Sequence, residues 1–228
     1  MARGRSARFT LCLSLLVSPA LAQTQQCAGT AVTVSADTAA QAELVCEAVT
    51  RATRLFAGCA IPEISQPVSI QITPDLPRGC VGLFHCAEDR IELLPPQAAT
   101  AFRAPDGAFS HLTPEAYFQS IVVHELTHAA TDPMPCPYEF CVMGPEYISY
   151  LMQVMSFDPA DLAVFEAGFD MSQPVTFMDM NPFILVLAPD IFARNVWAHH
   201  WQQDDPCGYV GQLIKGDVIL DIEFYDGE

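Results

Sequence analysis

Histidine, glutamate and histidine stand together at His124-Glu125-Leu126-Thr127-His128, inside the apolar, helix-compatible run from Ser120 to Asp132. On a helix, positions four apart lie one turn above each other on one face. His124 and His128 can therefore aim two imidazoles at a single ion, with Glu125 beside it. Two neutral nitrogen ligands and an adjacent carboxylate that can take the proton of a metal-bound water are the equipment of zinc-assisted hydrolysis.

Two histidines do not complete such a site, because a catalytic zinc keeps three protein ligands and leaves a fourth position to water. The candidates for the third are Glu146, Asp132, His199, His200 and Glu139. Asp132 lies one turn after His128 but is crowded by Pro133, whereas Glu146 opens the next expected helix. A loop closed by Cys136 and Cys141 would turn that helix back and bring a first-turn carboxylate to the ion. A donor to a developing oxyanion is also needed, and His199, His200, Tyr150 and Tyr209 are the candidates. The plainer account of His199 and His200 is an exposed helix end, and His85 and His111 read as ordinary strand or surface histidines.

The elements that must position these residues follow from spacing and punctuation. Thr113 and Pro114 open a helix that runs through His124 and His128 and stops near Asp132, because Pro133 disfavours helix before it. Upstream, residues 30–35 and 68–73 alternate as strands. Residues 81–86 and 90–94 form two more around a tight Ala87-Glu88-Asp89 turn. A helix with Asp37 as its cap and apolar residues at helical spacing runs to Phe56 and ends at Gly58. Residues 97–111 read as a loop. Helices are expected from Pro145, over 161–167 and over 189–203, and the tail 208–225 alternates like a strand. The pattern is α+β: a small antiparallel or mixed sheet packed on the His-Glu-x-x-His helix, with further helices after it, in one domain over residues 23–228.

Residues 1–22 read separately, as a secretory signal peptide. Arg3, Arg5 and Arg8 precede a short apolar run, and Ala20-Leu21-Ala22 fits a cleavage site before Gln23. The run is too short for a stable membrane span, so a secreted or periplasmic protein is expected. Removing that segment leaves seven basic residues against 27 acidic ones. Such a charge repels nucleic acid and anionic lipid, and its first consequence is solubility. Eight cysteines remain after Cys12 departs, and an even number in an exported chain indicates disulfides rather than metal thiolates. Cys80–Cys86 and Cys136–Cys141 are the expected bridges. Cys46 and Cys59 sit at two ends of a helix, beyond the ~7 Å that a disulfide spans.

His124 to Asp132 is very similar to the active-site helix of the gluzincins, the thermolysin-like metallopeptidases. Pro145-Glu146-Tyr147-Ile148-Ser149-Tyr150 resembles their second motif. The resemblance covers about a quarter of the chain, and its first motif is far the more specific. It implies a compact zincin-like fold that binds Zn2+ through His124, His128 and Glu146, with Glu125 as general base. It further implies a peptide or protein substrate lying along the edge of the 81–94 strand pair. The family usually has Asn before the glutamate ligand and Asp four residues after it; here Pro145 and Tyr150 occupy those places. The expected function is an exported zinc peptidase, and the alternative is a non-catalytic zinc-binding domain of the same fold.

Overall fold

Alternating apolar and polar residues build a sheet with one buried face, and the helix that carries His124 and His128 packs against it. The computed structural model describes residues 23–77 and 79–221; the expected signal peptide, residues 1–22, lies outside them. Five strands, β1 (Gln23–Gln26), β2 (Val32–Ala36), β3 (Val68–Ile72), β4 (Gly82–His85) and β5 (Arg90–Leu93), are ordered β1-β2-β3-β5-β4. The β2/β3 and β3/β5 pairs are parallel and the two outer pairs antiparallel, so the sheet is mixed. The register aligns Val34 with Ile70 and Ile70 with Ile91, all fully buried. Residues one position along, such as Ser35, Gln71 and Glu92, fall on the other face, as the two-residue period requires. β4 lies at an edge, and the tight turn before β5 holds Ala87 and Asp89 at positive φ.

Helix α1 (Ala39–Gly58) makes the crossover between the parallel strands β2 and β3. Thr38, rather than Asp37, caps it, its hydroxyl accepting from the Gln41 amide. A short helix, α2 (Pro96–Thr100), forms where the sequence reads as loop, because Pro96 supplies a ready first-turn φ and two alanines follow. Helix α3 (Pro114–Thr131) begins as expected, with Thr113 accepting from the Ala116 amide. It is buried almost all round, between the sheet, α1 and α2 on one side and α4 (Met143–Met155) on the other. The core joins the two layers through α3 residues Phe118, Val122 and Leu126 and α4 residues Ile148, Leu151 and Met152.

The remaining elements are α5 (Pro159–Ala167), a 3-10 turn at Phe177–Asp179, α6 (Pro182–Leu187), α7 (Pro189–Trp201) and α8 (Pro206–Lys215). The expected strand-like tail is wrong over α8. Asp205 caps a helix that Pro206 opens, and Val210 and Leu213 are buried at helical spacing. Cys27–Cys46, Cys59–Cys207 and Cys136–Cys141 are disulfides. The expected Cys80–Cys86 bridge is also wrong, since both are free thiols. Extended strand β4 separates them, and its four residues span roughly 13 Å against the ~7 Å a disulfide tolerates. Among the described residues no helix is long and apolar enough to cross a membrane.

Candidate metal centre

The two histidines of α3 and the first-turn glutamate of α4 converge. Nε2 of His124 lies 3.1 Å from Nε2 of His128. The Glu146 carboxylate places one oxygen 3.5 Å from the first and the other 3.6 Å from the second. Tetrahedral zinc with ligands at 2.0–2.1 Å holds neighbouring donor atoms roughly 3.3 Å apart. The spacing and the donor set, two imidazoles and one carboxylate, therefore fit that ion. The three side chains are 12–22 % exposed, buried enough to be ordered and open enough to admit a ligand.

What brings Glu146 there is the turn between the helices. Cys136–Cys141 closes the loop, and α4 starts at Met143, two residues before the expected Pro145. Its orphan amides are satisfied from far along the chain: the Asp221 carboxylate accepts from Val142 at 2.6 Å and Met143 at 2.9 Å. Asp221 is thus a long-range cap for the turn that carries Glu146.

Electrostatics separate the groups. Burial and the neighbouring His124 push His128 down to about 4, so it presents a lone pair at neutral pH. For His124 burial opposes protonation, but hydrogen bonding and charge from Glu146 outweigh it and raise its pKa. Glu146 is lowered, because the two histidines outweigh its burial. Burial drives Glu125 up to about 7, with His124 pulling the other way. A carboxyl at that value takes and returns protons near neutrality.

Glu125 lies under the edge strand. A Cβ on Gly82 would sit 2.6 Å from its Oε1 and 2.8 Å from Cγ2 of Ile121, so only glycine lets β4 approach this closely. The same residues form one wall of a cleft of about 800 Å³, which also exposes His124, His128 and Glu146. Tyr150 lines it, its ring edge-on to His124 at 4.7 Å between centroids, and Tyr117 and Asp190 lie nearby.

His199 and His200 are not in this cleft, which corrects their placement as oxyanion donors. His199 pairs through Nδ1 with the Tyr147 hydroxyl at 3.0 Å, and Tyr209 packs on both rings. His200 is buried, not an exposed helix end, and lies against Trp197 and Trp201. Asp132 and Glu139 are exposed and outside the ligand cluster. His85 pairs with Glu92 on the hairpin, and His111 with the Asp161 carbonyl.

Three further residues at the site belong to no motif in the sequence. Gln153 holds Nδ1 of His124 at 3.1 Å and Ser120 at 3.2 Å. Gln153 falls seven positions after Glu146, two turns along the same helix face, and Ser120 falls four before His124; that periodicity was the available signal. Gly82 left no signal beyond being a glycine in a strand.

No curated protein and no solved structure matches the chain. Residues 32–223, which include the three candidate ligands, Glu125 and Gln153, match a family described as one of unknown function. The chain belongs to that family, DUF6639.

Proposed function

We propose that the protein is an exported zinc-dependent hydrolase that cleaves peptide bonds. One observation carries this: three ligand atoms converge at zinc spacing beside a buried carboxylate, at the floor of a cleft walled by an open strand edge. The leader-like residues 1–22 and the three disulfides support export. The resemblance of two motifs to the gluzincins supports the peptidase class and a zincin-like fold.

Zinc held by His124, His128 and Glu146 would supply a Lewis acid for a carbonyl oxygen and an acidified water. Glu125 would take a proton from a water in the cleft and return it to the leaving amine. Its burial-raised pKa suits both halves of the transfer. Tyr150, the one expected donor that lines the cleft, offers its hydroxyl to the developing oxyanion, and burial keeps that hydroxyl protonated. The free edge of β4 presents backbone groups to an extended chain, which would lie across the cleft as an added strand.

A second reading, a zinc-binding domain without catalysis, is favoured by one feature: Tyr150 stands where the gluzincins carry a carboxylate. Elemental analysis and a peptide library separate the two. The peptidase reading expects one zinc per chain, and in Glu125→Gln unchanged zinc with cleavage reduced at least a hundredfold. Full zinc with no cleavage by the wild type would establish the second reading, and no zinc in the wild type would overturn both.

A further inference from the structure

The amide of Gln153 has only one orientation that satisfies its neighbours. Ser120 donates its hydroxyl proton to the Tyr117 carbonyl at 2.8 Å, so toward Gln153 it can only accept. The Gln153 group facing it at 3.2 Å must then be the N–H donor, Nε2. This turns Oε1 toward His124, 3.1 Å from Nδ1. An acceptor there requires a proton on Nδ1, and a neutral imidazole protonated on Nδ1 keeps its lone pair on Nε2. Nε2 is the atom that faces His128 and Glu146. Ser120 and Gln153 are 1 % and 4 % exposed, so water does not compete for either bond.

From this chain of bonds we propose that Gln153, oriented by Ser120, is the positioning residue that fixes His124 in the metal-binding tautomer. The proposal rests on the zinc reading of the site and supplies what Tyr150 cannot. The Tyr150 ring packs edge-on against His124, and no hydrogen bond among the described residues links the two. Outer groups that orient a ligand histidine are usually carboxylates, carbonyls or water. Here a neutral side-chain amide does the work from two turns beyond Glu146, so His124 gains orientation without the added basicity a carboxylate would give.

Two variants of nearly equal size separate hydrogen bonding from packing. Gln153→Met keeps the volume but offers no comparable acceptor, and Gln153→Glu keeps an acceptor. Zinc affinity is measured on the full chain by competition with a chromophoric chelator. Gln153→Met is expected to bind zinc 10- to 100-fold more weakly, and Gln153→Glu at least as tightly as wild type. Equal losses in both variants, or no loss in Gln153→Met, would overturn the proposal. The second readout needs no metal: 15N spectra of His124 in apo protein at alkaline pH. They should show the proton on Nδ1 in wild type and Gln153→Glu, and a mixture of tautomers in Gln153→Met. A wild type that binds no zinc yet shows this tautomer shift would sink the hydrolase reading and keep the Gln153 assignment; the same tautomer mixture in all three proteins would sink the assignment itself.

Discussion

The molecule has two histidine pairs on helices, and they do opposite things. His124 and His128, four apart on α3, face each other through Nε2 at 3.1 Å and open into a cleft. His199 and His200, adjacent on α7, diverge: one binds the Tyr147 hydroxyl, and the other is buried beside Trp197 with its Nδ1 unpartnered. Neighbours on a helix are turned by about 100° from each other, so they cannot converge on one ion. Surroundings complete the contrast. The first pair meets a carboxylate that compensates for burial. The second meets neutral groups, the Tyr147 hydroxyl and the Gln203 amide at His199 and tryptophan rings at His200, and burial with His199 beside it keeps His200 neutral down to about 4. Histidine becomes a candidate ligand here through spacing and an opposing charge, not through density.

The largest expected effect tests that contrast directly. His128→Ala removes one of three converging donors and should weaken zinc binding on the order of 10³-fold. His199→Phe and His200→Phe should leave it within twofold of wild type, a margin set by the absence of shared partners. Chelator competition on the three variants reads both sides. A loss of zinc in either Phe variant comparable to that in His128→Ala would erase the distinction.

A smaller effect should separate proton handling from metal binding within the first region. Gly82→Ala would put a methyl 2.6 Å from Oε1 of Glu125, and either the carboxylate or β4 must move. A displacement near 1 Å at a reacting group costs about 10²-fold in rate. Turnover on the library's best peptide should fall by that order while zinc affinity stays put, because no ligand touches Gly82. If zinc affinity falls in step with turnover, the strand is supporting the metal centre rather than Glu125.

How far each region was legible depends on whether its partners are local. The α3 helix is readable because its cap, its Pro114 start and its proline stop are all within the segment. Glu146 is readable as an early-turn carboxylate on the next helix, though α4 itself starts at Met143 under a cap, Asp221, that lies far along the chain. Gln153 sits on a predictable face, but that its amide would meet His124 depends on how α3 and α4 pack. Cys80–Cys86 failed because nearness in sequence says nothing about a strand holding two thiols apart. The strand expected over α8 is wrong because Gly208 and Gly211 weigh against helix and Val210 leans toward strand, while the helix start Asp205-Pro206 outweighs all three. His200 failed because a helix end looks exposed until α7 is packed on α4.

The smallest expected effect belongs to that last residue, and it appears only in acid. In the unfolded chain a histidine takes a proton near 6.5, whereas burial, with His199 beside it, holds His200 neutral to about 4. Between those values the unfolded state binds the extra proton, so stability is complete above about 6.5 and declines as pH falls toward 4. The gap alone would bound this term at roughly 3 kcal/mol. The α7 C-terminus, whose carbonyl dipoles favour positive charge, brings it to about 2 kcal/mol. His200→Phe fills the same aromatic site with a ring that does not titrate. Urea unfolding of apo protein across this range should therefore show the variant gaining on wild type by about 2 kcal/mol as pH drops, relative to their difference at neutral pH. Most other titrating groups are common to both proteins and cancel in that difference. Two curves that run parallel through the window would mean that His200 titrates as it does in the unfolded chain, and the second histidine region would then be no drier than the first.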